Sequence, residues 1–159
     1  MLIDPDSLAV LGGGLALAGG LAGSATGIGW AASAGVATLS EDPGQLKNVI
    51  VLASLPMTQT FYGLIILILI LTTVIPNLAG LPNPEGAGFA VFACGLIAAS
   101  AELVSAAYQG AVCASGISLL PKTKGQILTN AMMLAVFVEL LGVLGLVFTI
   151  MALSMLGLF

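Results

Sequence analysis

Four long apolar stretches occupy nearly all of this 159-residue chain and restrict its fold more than any other feature. They cover residues 8–39, 46–78, 87–120 and 126–158, and short segments rich in turn-forming residues separate them. A helix needs about 20 mostly apolar residues to cross a bilayer. Backbone groups in lipid must be satisfied internally, which favours helices over strands. The sequence therefore predicts an all-α membrane protein with four transmembrane helices.

Composition supports the membrane class. Hydrophobic residues make up 59% of the chain and charged residues 6%, and the mean hydropathy is +1.19. A soluble domain carries about 25% charged residues. The net charge of −4 excludes a nucleic-acid partner. The first residues, "MLIDPDSLAV", lack the basic segment of a signal peptide, so we expect the first apolar run to be retained.

The lysines predict an orientation in the membrane. Lys47, Lys122 and Lys124 are the only cationic side chains, and they lie in or beside the first and third connections. Connections that carry an excess of Lys and Arg stay in the cytoplasm. We therefore expect a multi-pass protein of the cell membrane, with both termini outside and the loops near Lys47 and Lys122/Lys124 in the cytoplasm.

An internal repeat divides the chain. A shift of 81 residues aligns "SATGIGWAASAGVATLSEDPGQ" with "SAAYQGAVCASGISLLPKTKGQ", so that Gly35 meets Gly116. The repeat predicts two duplicated helical hairpins, residues 1–79 and 80–159. Under the same shift Glu139 lies opposite Thr58. The carboxylate of the second copy therefore corresponds to a neutral oxygen in the first.

Small residues recur every four positions in the first helix, at Gly19, Gly23, Gly27, Ala31 and Gly35. This spacing lets helix backbones approach closely in lipid. Two arrangements fit the stripe: a close-packed monomeric bundle, or the crowded inner wall of a ring of many copies. The bulkier second and fourth helices favour an outer, lipid-facing layer.

Two carboxylates lie inside apolar spans, where an ionisable residue is costly and predicts a function. Glu139, in "VELLG", is near the middle of the fourth span. The alternative for Glu139 is a protonated side chain satisfied by one hydrogen bond. Glu102 aligns with Leu21 and so lies outside the duplicated pattern. Glu102 is either a protonated or pore-facing residue or an accessory carboxylate.

The segment "LPMTQTFYG" interrupts the second span with a proline and polar side chains. Pro56 has no backbone N–H and its ring crowds the preceding turn, which predicts a kink and exposed carbonyl groups. Tyr62 follows Thr58 by four residues and Gln59 by three, so the three side chains share a helix face.

Neutral oxygen donors match the depth of the carboxylate. Counted from the same membrane face, Thr58, Gln59, Gln109 and Glu139 agree within about one helical turn. Oxygen ligands with one negative charge suit a monovalent hard cation better than a transition metal or a divalent ion. A proton needs only the carboxyl and one acceptor, so the further oxygens favour Na⁺ over H⁺. The two cysteines lie in apolar helical context and are expected to pack in the interior.

These motifs carry a family resemblance. The duplicated four-helix pattern, with "LPMTQTFYG" in the second helix, "AYQGAVCASGI" in the third and "VELLG" in the fourth, resembles the rotor-ring proteolipid of V-type ATPases, which is called K or c. The combination is most similar to the sodium-translocating bacterial type. The resemblance implies that the two hairpins assemble with identical subunits into a homo-oligomeric ring.

The resemblance also implies an ion site in each subunit. Its Na⁺ ligands would be the Leu55 carbonyl, the Thr58 hydroxyl, the Gln59 and Gln109 side-chain oxygens and the Glu139 carboxylate. Tyr62 would hydrogen-bond the carboxylate, and Pro56 would support the site. Glu102 departs from the family pattern, where an uncharged residue is more usual.

The implied mechanism is rotary. A stator membrane subunit would supply an Arg that pairs with Glu139 and releases the ion, and central-stalk subunits would contact the cytoplasmic loops. The chain has no Gly-rich phosphate-binding loop with a Lys, so ATP would be hydrolysed or synthesised in other subunits. We therefore expect a non-catalytic, ion-translocating subunit.

Three alternatives remain at this point. The same ring could carry H⁺ instead of Na⁺. A small stand-alone cation or drug exporter would also have four helices and a membrane Glu, but in the first helix and without the repeat. The third alternative is a purely structural pore or junction proteolipid.

Overall fold

The computed structural model describes residues 4–159 and contains four helical spans in series. The helices are α1 (Pro5–Glu41), α2 (Leu46–Ser54), α3 (Thr58–Leu69), α4 (Ile75–Leu78), α5 (Pro84–Thr123) and α6 (Leu128–Met155). Helices α2 to α4 belong to one span, Pro43–Leu78. All four spans are long and apolar enough to cross a membrane. The prediction of an all-α chain with four membrane helices is confirmed.

Helices α1 and α5 begin about three residues earlier than predicted because each has a side-chain cap. Asp4 accepts a hydrogen bond from the backbone N–H of Ser7 (2.9 Å), and Asn83 does the same for Gly86 (3.1 Å). A proline follows each capping residue. Proline suits the first helical position, since its missing N–H would have no partner there.

The turn between α5 and α6 is tight and is braced by the first connection. Lys124 (φ 50°) and Gly125 (φ 84°) both adopt left-handed backbone conformations, which glycine tolerates best. The Gly125 N–H closes the end of α5 on the Leu120 carbonyl (3.0 Å). Gly125 also lies against the side chains of Gln45 and Asn48. Helix α6 therefore starts at residue 128, two residues later than predicted.

The second span is not one continuous α-helix. A 3₁₀ turn, Leu55–Met57, separates α2 from α3, as the missing N–H of Pro56 predicts. A π-helical segment, Ile70–Val74, separates α3 from α4. This second irregularity was not predicted from the sequence.

Helix α1 packs between α5 and the second span, and α6 packs on α5 and α3. A Cβ atom added to Gly110 of α5 would overlap the backbone of Gly27 in α1. On the other side of α1, a Cβ added to Gly20 would come within 2.5 Å of the Gln59 carbonyl oxygen. Small residues therefore let the backbone of α1 pack directly against the backbones of α5 and α3.

Two apolar clusters divide the core along the bundle axis. One contains Ile66, Ile70, Val91, Ala98 and Leu153, and the other contains Leu52, Cys113, Ile117, Leu120 and Ala135. Both cysteines are buried and free, in keeping with the predicted packing role. The polar side chains of the candidate site lie in the layer between these clusters.

Candidate functional site

The layer between the apolar clusters contains an unusual concentration of buried polar side chains. Gln59, Glu102 and Gln109 are 0% exposed, Ser105 is 2% exposed and Glu139 is half-buried. A buried polar group costs free energy unless it has a hydrogen-bond partner. The partners of these groups therefore define what the layer can do.

A chain of hydrogen bonds runs across three helices to the Glu139 carboxylate. The Thr58 hydroxyl donates to Gln59 Oε1 (3.1 Å), and Gln59 Nε2 donates to Gln109 Oε1 (3.0 Å). Gln109 Nε2 then donates to Glu139 Oε2 (3.2 Å). Helices α3, α5 and α6 thus bring together the four residues that the sequence places at one depth.

The second carboxylate oxygen of Glu139 has its own donor. The Tyr62 hydroxyl of α3 donates to Glu139 Oε1 (3.2 Å). Tyr62 is three residues after Gln59 and so lies on the same face of α3. The carboxylate is therefore held from two helices while its half-buried side chain remains open to the outside of the bundle.

The 3₁₀ turn supplies a backbone oxygen beside the network. The Leu55 carbonyl accepts the backbone N–H of Thr58 and, more weakly, its hydroxyl (3.4 Å). Pro56 is buried inside this turn. All five predicted ligand residues and Tyr62 are thus joined in one connected network.

Ser105 belongs to the network, although it was not among the site residues predicted from the sequence. Its hydroxyl accepts from Gln59 Nε2 (3.2 Å) and donates to the Val138 carbonyl (2.9 Å). Ser105 therefore fixes Gln59 against α6, next to Glu139. The sequence feature that could have predicted this role is the position of Ser105, one helical turn before Gln109 on α5.

Glu102 lies near the network but outside it. Its side chain is completely buried, and neither carboxyl oxygen has a hydrogen-bond partner. A Cβ atom added to Gly142 would lie 2.9 Å from Glu102 Oε2. A Cβ atom added to Gly145 would lie 3.5 Å from Glu102 Oε1. The carboxyl group therefore occupies the seam between α5 and α6, about one turn along α6 from Glu139.

No protein cation in residues 4–159 balances the Glu139 charge. The cationic side chains of the chain are three lysines, all at the ends of spans near the connections. Glu139 is instead surrounded by a phenol, a carboxamide and further oxygen-bearing side chains. Such an arrangement can hold one small monovalent cation against a single negative charge.

Comparisons with known proteins agree with this architecture. A family model for the C subunit of ATP synthase matches residues 11–70 and 92–152, one segment in each half of the chain. The chain is 34% identical over 155 residues to the A-type ATP synthase subunit K of Methanocaldococcus jannaschii, covering 96% of this chain. It spans only 64% of the length of that relative.

A second relative is more nearly the length of this chain. The V-type sodium ATPase subunit K of Enterococcus hirae is 32% identical over 125 residues, which cover 79% of this chain and 76% of the relative. The family model covers most of the chain, and its two segments fall on the four helical spans. The chain belongs to the family of ATP synthase C subunits.

Proposed function

We propose that this chain is a membrane rotor-ring subunit of a V/A-type rotary ATPase that binds one Na⁺ at Glu139. The ring of identical subunits would carry Na⁺ across the membrane as it turns, coupled to ATP hydrolysis or synthesis in other subunits. Family membership supports the rotor role. The observation that carries the site is the hydrogen-bonded network that joins Glu139 to Tyr62, Gln109, Gln59 and Thr58.

The network can be converted into an oxygen shell by small movements. Gln109 presents its amide nitrogen to Glu139 Oε2. Half-turns of the Gln109 and Gln59 amides about their Cγ–Cδ bonds would place the Gln109 oxygen there instead, beside the carboxylate, and would turn the Gln59 oxygen toward the Gln109 nitrogen. The Leu55 carbonyl, the Thr58 hydroxyl and the Gln59 carboxamide then supply the remaining predicted ligands.

Charge neutralisation gives the bound ion its role in rotation. Glu139 is half-buried and faces the outside of the bundle. An ionised carboxylate is costly in lipid, whereas a carboxylate with bound Na⁺ carries no net charge. A loaded subunit could therefore turn past lipid, and an Arg of the stator membrane subunit would pair with Glu139 and release the ion.

Two observations favour Na⁺ over H⁺ as the transported ion. The site gathers neutral oxygen groups that a protonated carboxyl would not need. A relative that is 32% identical is described as the subunit of a sodium ATPase. Proton transport by the same ring is the competing outcome of the test below.

The loops would meet the soluble part of the complex. We place both termini outside and the connections near Lys47 and Lys122/Lys124 in the cytoplasm, where central-stalk subunits would bind them. The two predicted hairpins, residues 1–79 and 80–159, would then each present one cytoplasmic tip. A stand-alone exporter and a structural pore are disfavoured by the family match in both halves.

Labelling of Glu139 with a hydrophobic carbodiimide in the assembled ring tests this proposal. The reagent attacks a protonated carboxyl, so bound Na⁺ should protect Glu139 in a concentration-dependent way. The Glu139→Gln variant should lose the protectable label and ion-coupled ATP turnover. Labelling that is unaffected at high Na⁺ would indicate H⁺ transport, and near-normal sodium transport by Glu139→Gln would exclude the site.

A further inference from the structure

Glu102 is a second carboxyl group within the membrane layer, and the proposed cycle does not use it. Its side chain is 0% exposed, and both carboxyl oxygens lack a hydrogen-bond partner. It lies on α5, two turns before Gln109, and faces α6. Few buried carboxyl groups in folded proteins are left without any partner.

The surroundings of Glu102 offer no positive charge. The lysines lie at the ends of the spans, and the chain contains neither Arg nor His. Removing an unpaired carboxylate from water costs several kcal/mol or more. The Glu102 charge must therefore be neutralised by something other than a side chain of this protein.

The seam around Glu102 is closely packed about its carboxyl group. A Cβ atom on Gly142 would lie 2.9 Å from Glu102 Oε2 and 3.0 Å from Ser105 Oγ. The absence of side chains at Gly142 and Gly145 thus creates a slot on α6 that two oxygen-bearing side chains of α5 border.

A groove on the outer surface of the bundle lies next to this slot. It has a volume of about 330 Å³, and its walls include Ala101, Ser105 and Gly145 beside larger apolar side chains. Ser105 and Gly145 border both the groove and the slot. The groove therefore reaches the wall of the slot from the α5–α6 side, while the Glu102 carboxyl behind that wall is fully buried.

We propose that Glu102 forms a second binding site for a singly charged cation, a proton or Na⁺, in the slot between Ser105 and the glycines of α6. This goes beyond the proposed function, which assigns one cation to Glu139 alone. Each subunit then holds two singly charged cations in the membrane layer. The Glu102 cation is enclosed, whereas the Glu139 cation lies at a half-buried carboxylate.

Infrared spectroscopy and a count of bound Na⁺ test this proposal on the purified, assembled ring. Both are measured at neutral pH with Na⁺ saturating. The wild type is compared with Glu102→Gln, which keeps the size of the side chain but binds no cation. Glu85→Gln is the matched control, because Glu85 is an exposed carboxylate on the same helix.

The two cations that could neutralise Glu102, a proton and Na⁺, give different results. If Glu102 holds a proton, the wild type shows the C=O band of a protonated carboxyl under saturating Na⁺, and Glu102→Gln lacks it. The wild type and Glu102→Gln then each bind one Na⁺ per subunit. If Glu102 holds Na⁺, the wild type binds two Na⁺ per subunit and the variant binds one. Glu85→Gln leaves the band and the count unchanged.

A wild-type ring with one Na⁺ per subunit and no protonated-carboxyl band would overturn the proposal. A band and a count that Glu102→Gln does not alter would also overturn it. The Glu139→Gln ring separates this site from the first and replaces Glu102→Gln if that variant does not assemble. A protonated-carboxyl band or one Na⁺ per subunit that remains in Glu139→Gln belongs to Glu102.

Discussion

At the scale of single residues, the Glu139 carboxylate is the centre of the molecule's chemistry. Gln109 and Tyr62 each donate to one of its oxygens from different helices. These partners were predictable because a helix rises by a fixed step, so sequence position gives depth. The roles of Ser105 and Glu102 were less predictable, because they depend on which helix faces pack together at the α5–α6 seam.

Replacing Tyr62 with Phe should weaken Na⁺ binding by about tenfold or more. The change removes one hydrogen bond to a charged group, which is worth about 1.5–3 kcal/mol, and about 1.4 kcal/mol corresponds to tenfold. Sodium protection of Glu139 labelling measures the effect. Tyr108→Phe is the control, since Tyr108 is 64% exposed and is the only other tyrosine. Equal losses in both variants would contradict the assigned contact.

Apolar replacements in the network should change ion preference. Gln109→Leu and Thr58→Val each remove an oxygen ligand that Na⁺ needs and a proton does not. We expect Na⁺ protection to fall much more than proton affinity, measured as the pH dependence of labelling without Na⁺. Thr72→Val is the control, because the Thr72 hydroxyl is exposed and bonds only within its own span, to the Ile68 carbonyl. Equal loss of both ions would count against oxygen coordination.

At the scale of elements, the second span differs from the others because a 3₁₀ turn interrupts its helix beside the candidate site. The 3₁₀ turn at Leu55–Met57 places the Leu55 carbonyl next to the Thr58 hydroxyl at the start of α3. Pro56 made this break predictable from sequence. The π segment Ile70–Val74 was not predictable, since no proline or glycine marks its start and its buried residues depend on the packing of neighbouring helices.

Replacing Pro56 with Ala should weaken Na⁺ binding while the four spans remain helical. The new N–H at residue 56 can bond the Leu52 carbonyl and extend α2, which moves the Leu55 carbonyl. Sodium protection of labelling and helical circular dichroism measure the two properties. Pro121→Ala is the control, because Pro121 also lies inside a helix but near the α5–α6 turn. Unchanged Na⁺ protection in Pro56→Ala would show that the turn is not needed.

The contact between α1 and α5 depends on glycines such as Gly27, where the two helix backbones touch. Gly27→Val should destabilise the bundle by about 1–3 kcal/mol, a typical cost of overpacking. Gly29→Val is the control, because no atom lies within 4 Å of a Cβ added at Gly29. Thermal loss of helical circular dichroism in detergent-dissociated subunits compares the variants. A similar midpoint for both would contradict the packing described.

At the scale of the whole molecule, the four-helix architecture followed from the lengths of the apolar runs. Span boundaries differed by a few residues because capping by Asp4 and Asn83 and the left-handed turn at Gly125 set the ends. Packing order could not be read from mean hydropathy, since that quantity does not say which helix faces meet. It is determined by where small residues allow close approach.

The predicted orientation can be tested with the native lysines. A membrane-impermeant amine reagent should label Lys47, Lys122 and Lys124 in inside-out vesicles and leave them unlabelled in right-side-out vesicles. The chain should be produced without its partner subunits, so that the loops are not covered. Mass spectrometry of lysine peptides gives the result. Labelling from the outer face would reverse the assigned topology.

The contact between the two hairpin tips has a mechanical consequence. Gly125 touches Gln45 and Asn48, and these two side chains are themselves hydrogen-bonded to each other (2.8 Å). Asp42 secures the first tip further by accepting from Gln45 Nε2 (2.9 Å). The first and third connections therefore form one contacting unit, and a force applied to either would be distributed over all four spans.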